Sequence, residues 1–159
     1  MARITNAPFY IGEVVAGDWN GDGKQDLAGA WRELTVMLGN GDGTFAQATI
    51  QTLPTTACLL KTALVDAGST LDLLVVPSDP GDVLILLGDG QGGFVARPGV
   101  PAGTLCNDVV TGDLNGDGKL DLVIADGGGF NNLDGSVKIA LGNGDGTPWT
   151  SRKTKRQVS

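Results

Sequence analysis

The sequence predicts an all-β chain of three repeats, each built from four antiparallel strands. Three observations carry this prediction. Asp18, Asp66 and Asp113 hold the same place in three successive units, at a period within the range of four-stranded propeller repeats, roughly 40 to 50 residues. A Leu-Gly step, at Leu38-Gly39, Leu87-Gly88 and Leu141-Gly142, precedes a glycine-rich turn in each unit, and Phe45, Phe94 or Trp149 follows it. The apolar runs between these landmarks are short and bounded by Gly, Asn and Asp, as strands are.

The units span about residues 1–53, 54–101 and 102–150, and each reads as strand, acidic loop, strand, short loop, strand, glycine turn, strand. Unit one places its strands near 11–17, 26–31, 34–38 and 44–52. Unit two places them near 59–65, 71–77, 82–87 and 93–97, and unit three near 107–112, 121–125, 136–141 and 147–151. Val83-Leu84-Ile85-Leu86-Leu87 is apolar at both parities, so both faces of that sheet should be buried. A blade packed between two other blades meets that condition. Three blades are fewer than the roughly four to eight of a closed propeller, so the expected architecture is a partial propeller. Its bare faces and edges call for cover, either by further blades from a longer chain or by self-association.

The acidic loops carry the chemistry. Asp18-Trp-Asn-Gly-Asp-Gly-Lys-Gln-Asp26 and Asp113-Leu-Asn-Gly-Asp-Gly-Lys-Leu-Asp121 place oxygen-bearing side chains at relative positions one, three, five and nine, with glycine at six. Ca²⁺ takes six to eight oxygens at about 2.3–2.6 Å, and one tight turn can supply most of them. Asp18, Asn20, Asp22, Asp26 and the carbonyl of Lys24 are expected to hold one ion. Asp113, Asn115, Asp117, Asp121 and the carbonyl of Lys119 are expected to hold a second. An EF-hand would need a bidentate Glu at position twelve and a following helix, but Gly29 and Ile124 stand there and strand-like runs follow. Turn chemistry alone also explains Asn-Gly-Asp-Gly, since these residues favour tight hairpins. That plain reading suits Gly39–Phe45, which lacks carboxylates at positions one and nine. In the long loops, three carboxylates within nine residues would repel one another without a cation. The middle unit keeps only Asp66 and Asp72 of the pattern, and no tight metal is expected there.

These residues resemble a known family. Gly-Asp-Trp-Asn-Gly-Asp-Gly-Lys-Gln-Asp-Leu, Gly-Asp-Leu-Asn-Gly-Asp-Gly-Lys-Leu-Asp-Leu-Val and the downstream Leu-Gly-Asn-Gly-Asp-Gly-Thr resemble FG-GAP or VCBS repeats, the calcium-bearing blades of integrin-alpha-type β-propellers. The resemblance covers about residues 11–149. It implies a propeller, calcium in the loops, and a ligand on the rim opposite them. Thr147-Pro148-Trp149 departs from the family's Thr-Phe.

Composition narrows the function. Glycine supplies 26 of 159 residues, more than twice the usual share and suited to many turns. The net charge is −7, but Arg152, Lys153, Lys155 and Arg156 concentrate four of the eleven basic groups in a tail at 151–159, expected to be disordered. The rest of the chain holds seven basic groups against eighteen acidic ones. Such a body does not invite nucleic acid, which needs Lys and Arg to neutralise its phosphates. No run of about 20 apolar residues could span a membrane, and residues 1–15 lack the basic start and apolar stretch of a signal peptide. Calcium chemistry and the resemblance point instead to the extracellular space or the cell surface. Cys58 and Cys106 stand at equivalent places before the first strands of units two and three. A disulfide is open to them, but bridging needs Cα atoms within about 7 Å, which favours two small buried thiols.

The chain has no histidine, which removes Ser-His-Asp, Cys-His and His-zinc chemistry. Paired carboxylates could still serve a glycosidase, yet the repeated loops and turns account for nearly every clustered Asp. The reading is a non-catalytic, calcium-stabilised binding or adhesion module with a protein or glycan ligand. The alternatives are an accessory or partial propeller of a secreted polysaccharide lyase or other glycan-degrading enzyme, and a lectin-like sugar binder. Trp31, Arg32, Phe130, Asn131 and Asn132, on connections opposite the calcium loops, are the candidate ligand residues. Tyr10 and Trp19 are aromatic candidates too, though packing explains such rings equally well.

Overall fold

In a computed structural model of the chain, the residues described are 12–46, 48–128, 135–146 and 149–154. They form three antiparallel four-stranded sheets and no helix. Blade 1 contains β1 (Glu13–Gly17), β2 (Asp26–Ala30), β3 (Glu33–Met37) and β4 (Thr49–Thr52) in that spatial order. Blade 2 contains β5 (Ala57–Ala63), β6 (Asp72–Pro77), β7 (Gly81–Gly88) and β8 (Phe94–Gly103). Blade 3 contains β9 (Cys106–Gly112), β10 (Asp121–Asp126), β11 (Ser136–Leu141) and β12 (Thr150–Thr154). Within each blade every strand pairs with the next in sequence, so the connections inside a blade are simple hairpins. The acidic loops and glycine turns fall at one end of the sheets, and the β2–β3, β6–β7 and blade-to-blade links fall at the other.

The sheets pack face to face, as propeller blades do. Ala28, Ala30, Leu34 and Val36 of blade 1 meet Leu60, Leu73, Val75 and Leu86 of blade 2 in one core. A second core joins Leu74, Val76, Val83 and Ile85 of blade 2 to Val109, Leu122, Ile124 and Ala140 of blade 3. The strand period of two sends Leu73 and Val75 one way and Leu74 and Val76 the other. All six residues of β6 are buried in consequence, and Val83, Ile85, Leu86 and Leu87 are buried in β7 as their mixed parity requires.

One buried ion pair ties blade 3 to its neighbour. Lys138 Nζ lies 3.0 Å from Asp126 Oδ2 and donates to the Ala102 carbonyl of blade 2 at 2.9 Å. Burial opposes charge on Asp126, but the hydrogen bonds from Lys138 and the Leu105 amide outweigh it and hold the carboxyl below its ordinary range.

Three local expectations need correction. The fourth strand of unit one starts at Thr49, not near residue 44, because Asp42 Oδ1 accepts both the amide (2.9 Å) and the hydroxyl (2.6 Å) of Thr44 and keeps it in the turn. The basic tail is not disordered throughout: Ser151–Thr154 belong to β12, which pairs with β11, and 155–159 lie outside the described residues. Cys106 is buried but Cys58 is exposed, and both thiols are free. Burial pushes the Cys106 thiol up to about 11, which keeps it protonated and unreactive at neutral pH.

Candidate functional site

The two long loops fold identically. In blade 1, Asp18 sits at the hub of its loop: Oδ1 accepts the amides of Gly21 (2.7 Å) and Asp22 (3.2 Å), and Oδ2 accepts that of Gly23 (2.8 Å). Asn20 Oδ1 accepts the Asp22 amide at 3.1 Å, and Asp22 Oδ1 accepts the Lys24 amide at 2.9 Å. In blade 3, Asp113 gathers the amides of Gly116, Asp117 and Gly118 at 2.7, 3.2 and 2.8 Å. Asn115 accepts from Asp117, and Asp117 from Lys119, both at 2.9 Å. Gly21, Gly23, Gly116 and Gly118 all have φ between 73° and 81°, which only glycine adopts without strain. Hydrogen bonds to the charged form favour it: the Gly118 amide leads in holding Asp113 below its ordinary value. For Asp22 the Lys24 amide leads, joined by the Lys24 ammonium at 3.1 Å.

The ninth-position residues behave differently. Asp26 is fully buried, with Oδ2 accepting the Trp19 amide at 2.9 Å and Oδ1 the Gly39 amide at 2.8 Å. Asp121 repeats this with Leu114 and Gly142, both at 2.9 Å. Asp72 does the same in the middle blade, with Val65 at 2.7 Å and Gly88 at 3.0 Å. Each carboxylate therefore clamps the start of an acidic loop to the glycine turn across the blade. The Leu-Gly step is explained by the same device: a Cβ on Gly39, Gly88 or Gly142 would collide with the backbone carbonyl of Gln25, Leu71 or Leu120, the residue just before the clamp. Spacing alone presents these aspartates as metal ligands. The signal for a second role was Asp72, retained in a loop that has lost the other oxygens.

A cation would find oxygen donors of the right hardness on positions one, three and five of each long loop, half-buried at Asp18 and Asn20 and exposed at Asp22, Asp113, Asn115 and Asp117. Each clamp carboxylate has one lone pair per oxygen beyond its amide bond. Among the described residues, no three acidic or thiol side chains already converge as a finished cage.

At the opposite end of blade 1, a groove of about 510 Å³ is lined by Trp31, Arg32, Glu33, Leu53, Pro54 and Thr56, among others. Backbone bonds from Leu53 to Arg32 (3.1 Å) and from Ala57 to Trp31 (2.6 Å) fix its floor. Trp31 is 38% exposed, whereas Trp19 is fully buried and packs edge-on against Phe94 of blade 2, with centroids 6.1 Å apart. The structure thus places Trp31 and Arg32 together, while Phe130, Asn131, Asn132 and Tyr10 lie outside the described residues.

No curated protein matches the chain. Residues 65–124, from the middle blade's acidic loop into β10 of blade 3, match the family model of the FG-GAP-like repeat. Over that stretch the chain is similar to FG-GAP-like repeats.

Proposed function

We propose that this chain is a non-catalytic, calcium-stabilised binding module of propeller type, working outside the cell or at its surface, where calcium reaches the millimolar levels that weak sites need. The observation that carries the reading is the pair of nine-residue loops, alike in sequence and in every main hydrogen bond. Asp18, Asn20, Asp22, the Lys24 carbonyl and Asp26 hold one ion. Asp113, Asn115, Asp117, the Lys119 carbonyl and Asp121 hold the other. Calcium relieves the repulsion among the exposed carboxylates, and because it binds only the folded loop, its binding energy adds to stability. Thermal melting with calcium and with chelator tests this: the melting temperature should fall on chelation, and an unchanged curve sinks the calcium reading.

The Trp31 groove supports a ligand site on the rim away from the ions. An exposed indole beside Arg32, Glu33 and Thr56 offers a sugar both a stacking face and hydrogen-bonding partners, which favours a glycan over a protein ligand. Oligosaccharide titrations followed by tryptophan fluorescence should saturate in the wild type and not in Trp31→Ala. Equal binding by both proteins removes the groove from consideration.

A further inference from the structure

The Trp31 indole is seated before any ligand arrives. A Cβ on Gly12 would stand 2.7 Å from Trp31 Cε3 and 3.3 Å from Cζ3, so the benzo edge of the ring lies directly on the Gly12 backbone. The Gly12 amide in turn donates to the Ala30 carbonyl at 3.0 Å, and the Trp31 amide to the Glu33 carbonyl at 3.2 Å, which closes the turn between β2 and β3. One edge of the ring is thereby fixed. The rest stays open to solvent, as a stacking platform requires.

The polar side chains around the ring are uncommitted. Lys24, Lys61 and Lys138 each face an aspartate at 3.0 or 3.1 Å, whereas among the described residues no carboxylate lies within ion-pair distance of the Arg32 guanidinium. Nor does any hydrogen bond among them engage the side chains of Arg32, Glu33, Thr55 or Thr56. Glu33, Thr55 and Thr56 are half-buried, so three polar groups are partly withdrawn from water and meet no protein partner. The groove thus offers one planar cation, one carboxylate and two hydroxyls beside a fixed aromatic face.

Resting on the glycan reading of this groove, we propose that the sugar it takes is a hexuronate, a pyranose that bears one carboxylate on its ring. Arg32 binds that carboxylate through two parallel N–H···O bonds, the geometry its fork is built for. The Trp31 face stacks on the apolar C–H face of the sugar. Glu33 accepts from ring hydroxyls, and the hydroxyls of Thr55 and Thr56 donate or accept as the ring requires. A neutral hexose would leave Arg32 without a counter-ion. A polysulfated chain would meet Glu33 and a body with eighteen acidic groups against eleven basic ones. One carboxylate per ring, with hydroxyls beside it, matches both charges of the groove, whose volume of about 510 Å³ lies in the roughly 300–1,000 Å³ range of small-ligand sites.

Isothermal titration of the full chain, at one fixed calcium concentration, tests the proposal with galacturonate and glucuronate oligosaccharides, their methyl esters and neutral hexose oligosaccharides. The wild type should bind a uronate about 10- to 100-fold tighter than its ester, the range that a hydrogen bond to a charged group supplies, and the preference should shrink as salt rises. Arg32→Gln should bind acid and ester alike. Arg32→Lys should recover part of the preference, since it restores the charge without the fork. Gly12→Ala, which displaces the indole, should weaken acid and ester by the same factor and leave their ratio intact, and circular dichroism should show all three variants folded. Equal affinity of the wild type for acid and ester, or a preference that survives Arg32→Gln, overturns the hexuronate assignment. Binding of the neutral oligosaccharides without the uronates overturns it while the glycan reading stands, and binding of neither removes both.

Discussion

The acidic loop of the middle blade and the loops on either side of it share their last residue and little else. In blades 1 and 3 the loop wraps a hub carboxylate that gathers three amides; in blade 2, Asp66 accepts only the Gly68 amide, at 2.7 Å. Yet Asp72 makes the same two buried bonds as Asp26 and Asp121. The clamp therefore does not need the long loop, and the hairpin beneath it survives when the loop is shortened. Under the proposed calcium reading two duties overlap in one nine-residue pattern: all four side chains address an ion, and the buried carboxylate also holds the backbone.

The sharpest way to break this distinction is to remove a clamp. Asp72→Ala would strand the amides of Val65 and Gly88, each at about 1–3 kcal/mol, so chemical denaturation should register a loss of about 2–6 kcal/mol, equal with and without calcium. A loss below about 1 kcal/mol would mean the clamp is incidental. Asp126→Ala, which leaves the Lys138 ammonium buried without its partner, should cost about 3–5 kcal/mol by the same assay and likewise ignore calcium. Calcium at a hundredfold excess over its dissociation constant should add about 2.7 kcal/mol per site. Asp117→Ala should abolish that increment for the third blade and leave the chelated protein nearly unaffected. Should Asp117→Ala instead destabilise the chelated protein as much as the calcium-loaded one, the division of labour fails. Gly116→Ala forces a side chain to a φ of 79° and should cost about 1–2 kcal/mol in thermal denaturation.

The smallest effect is in pH. Burial raises the Asp72 carboxyl above its ordinary 3.8 against the pull of the Gly88 and Val65 amides. A folded-state value above the unfolded one gives a contribution that is full below 3.8 and fades as pH rises through the folded value. Asp113 and Asp126 are shifted down, so their contributions are full above 3.8 and fade as pH falls through their folded values. Acid titration of the chelated protein should therefore unfold it below about pH 4, and Asp72→Asn should be penalised more at pH 4 than at pH 7. A penalty for Asp72→Asn that grows toward neutral pH would reverse the sign assigned to the clamp.

Much of this was legible in the residues. Strand positions followed from turn chemistry and apolar runs, and the mixed parity of Val83–Leu87 announced a sheet covered on both faces. What escaped had physical causes. A metal ligand and a backbone clamp are the same residue at the same spacing, and only burial separates Asp26 from Asp22. β12 carries Arg152 and Lys153 and no apolar alternation, so its strand rests on backbone pairing to β11, which composition does not record. Thr44 reads as a strand former, but the carboxylate of Asp42 two residues earlier captures it locally. Cys58 sits at the register irregularity between Ala57 and Leu59 in β5 and is exposed there, a local break that equivalence between units does not reveal.

The complete burial of β6 has a kinetic meaning. Its backbone lies between β5 and β7, and its side chains lie between two cores, so no local fluctuation exposes it without parting blade 2 from both neighbours. Amide exchange along Leu73–Val76 should then proceed only through global opening, while edge strands such as β4 and β12 fray independently. In a stack where each unit touches only adjacent units, stability is roughly a sum over units and their interfaces. The middle blade takes part in both interfaces, and so it sets how cooperatively the whole chain unfolds.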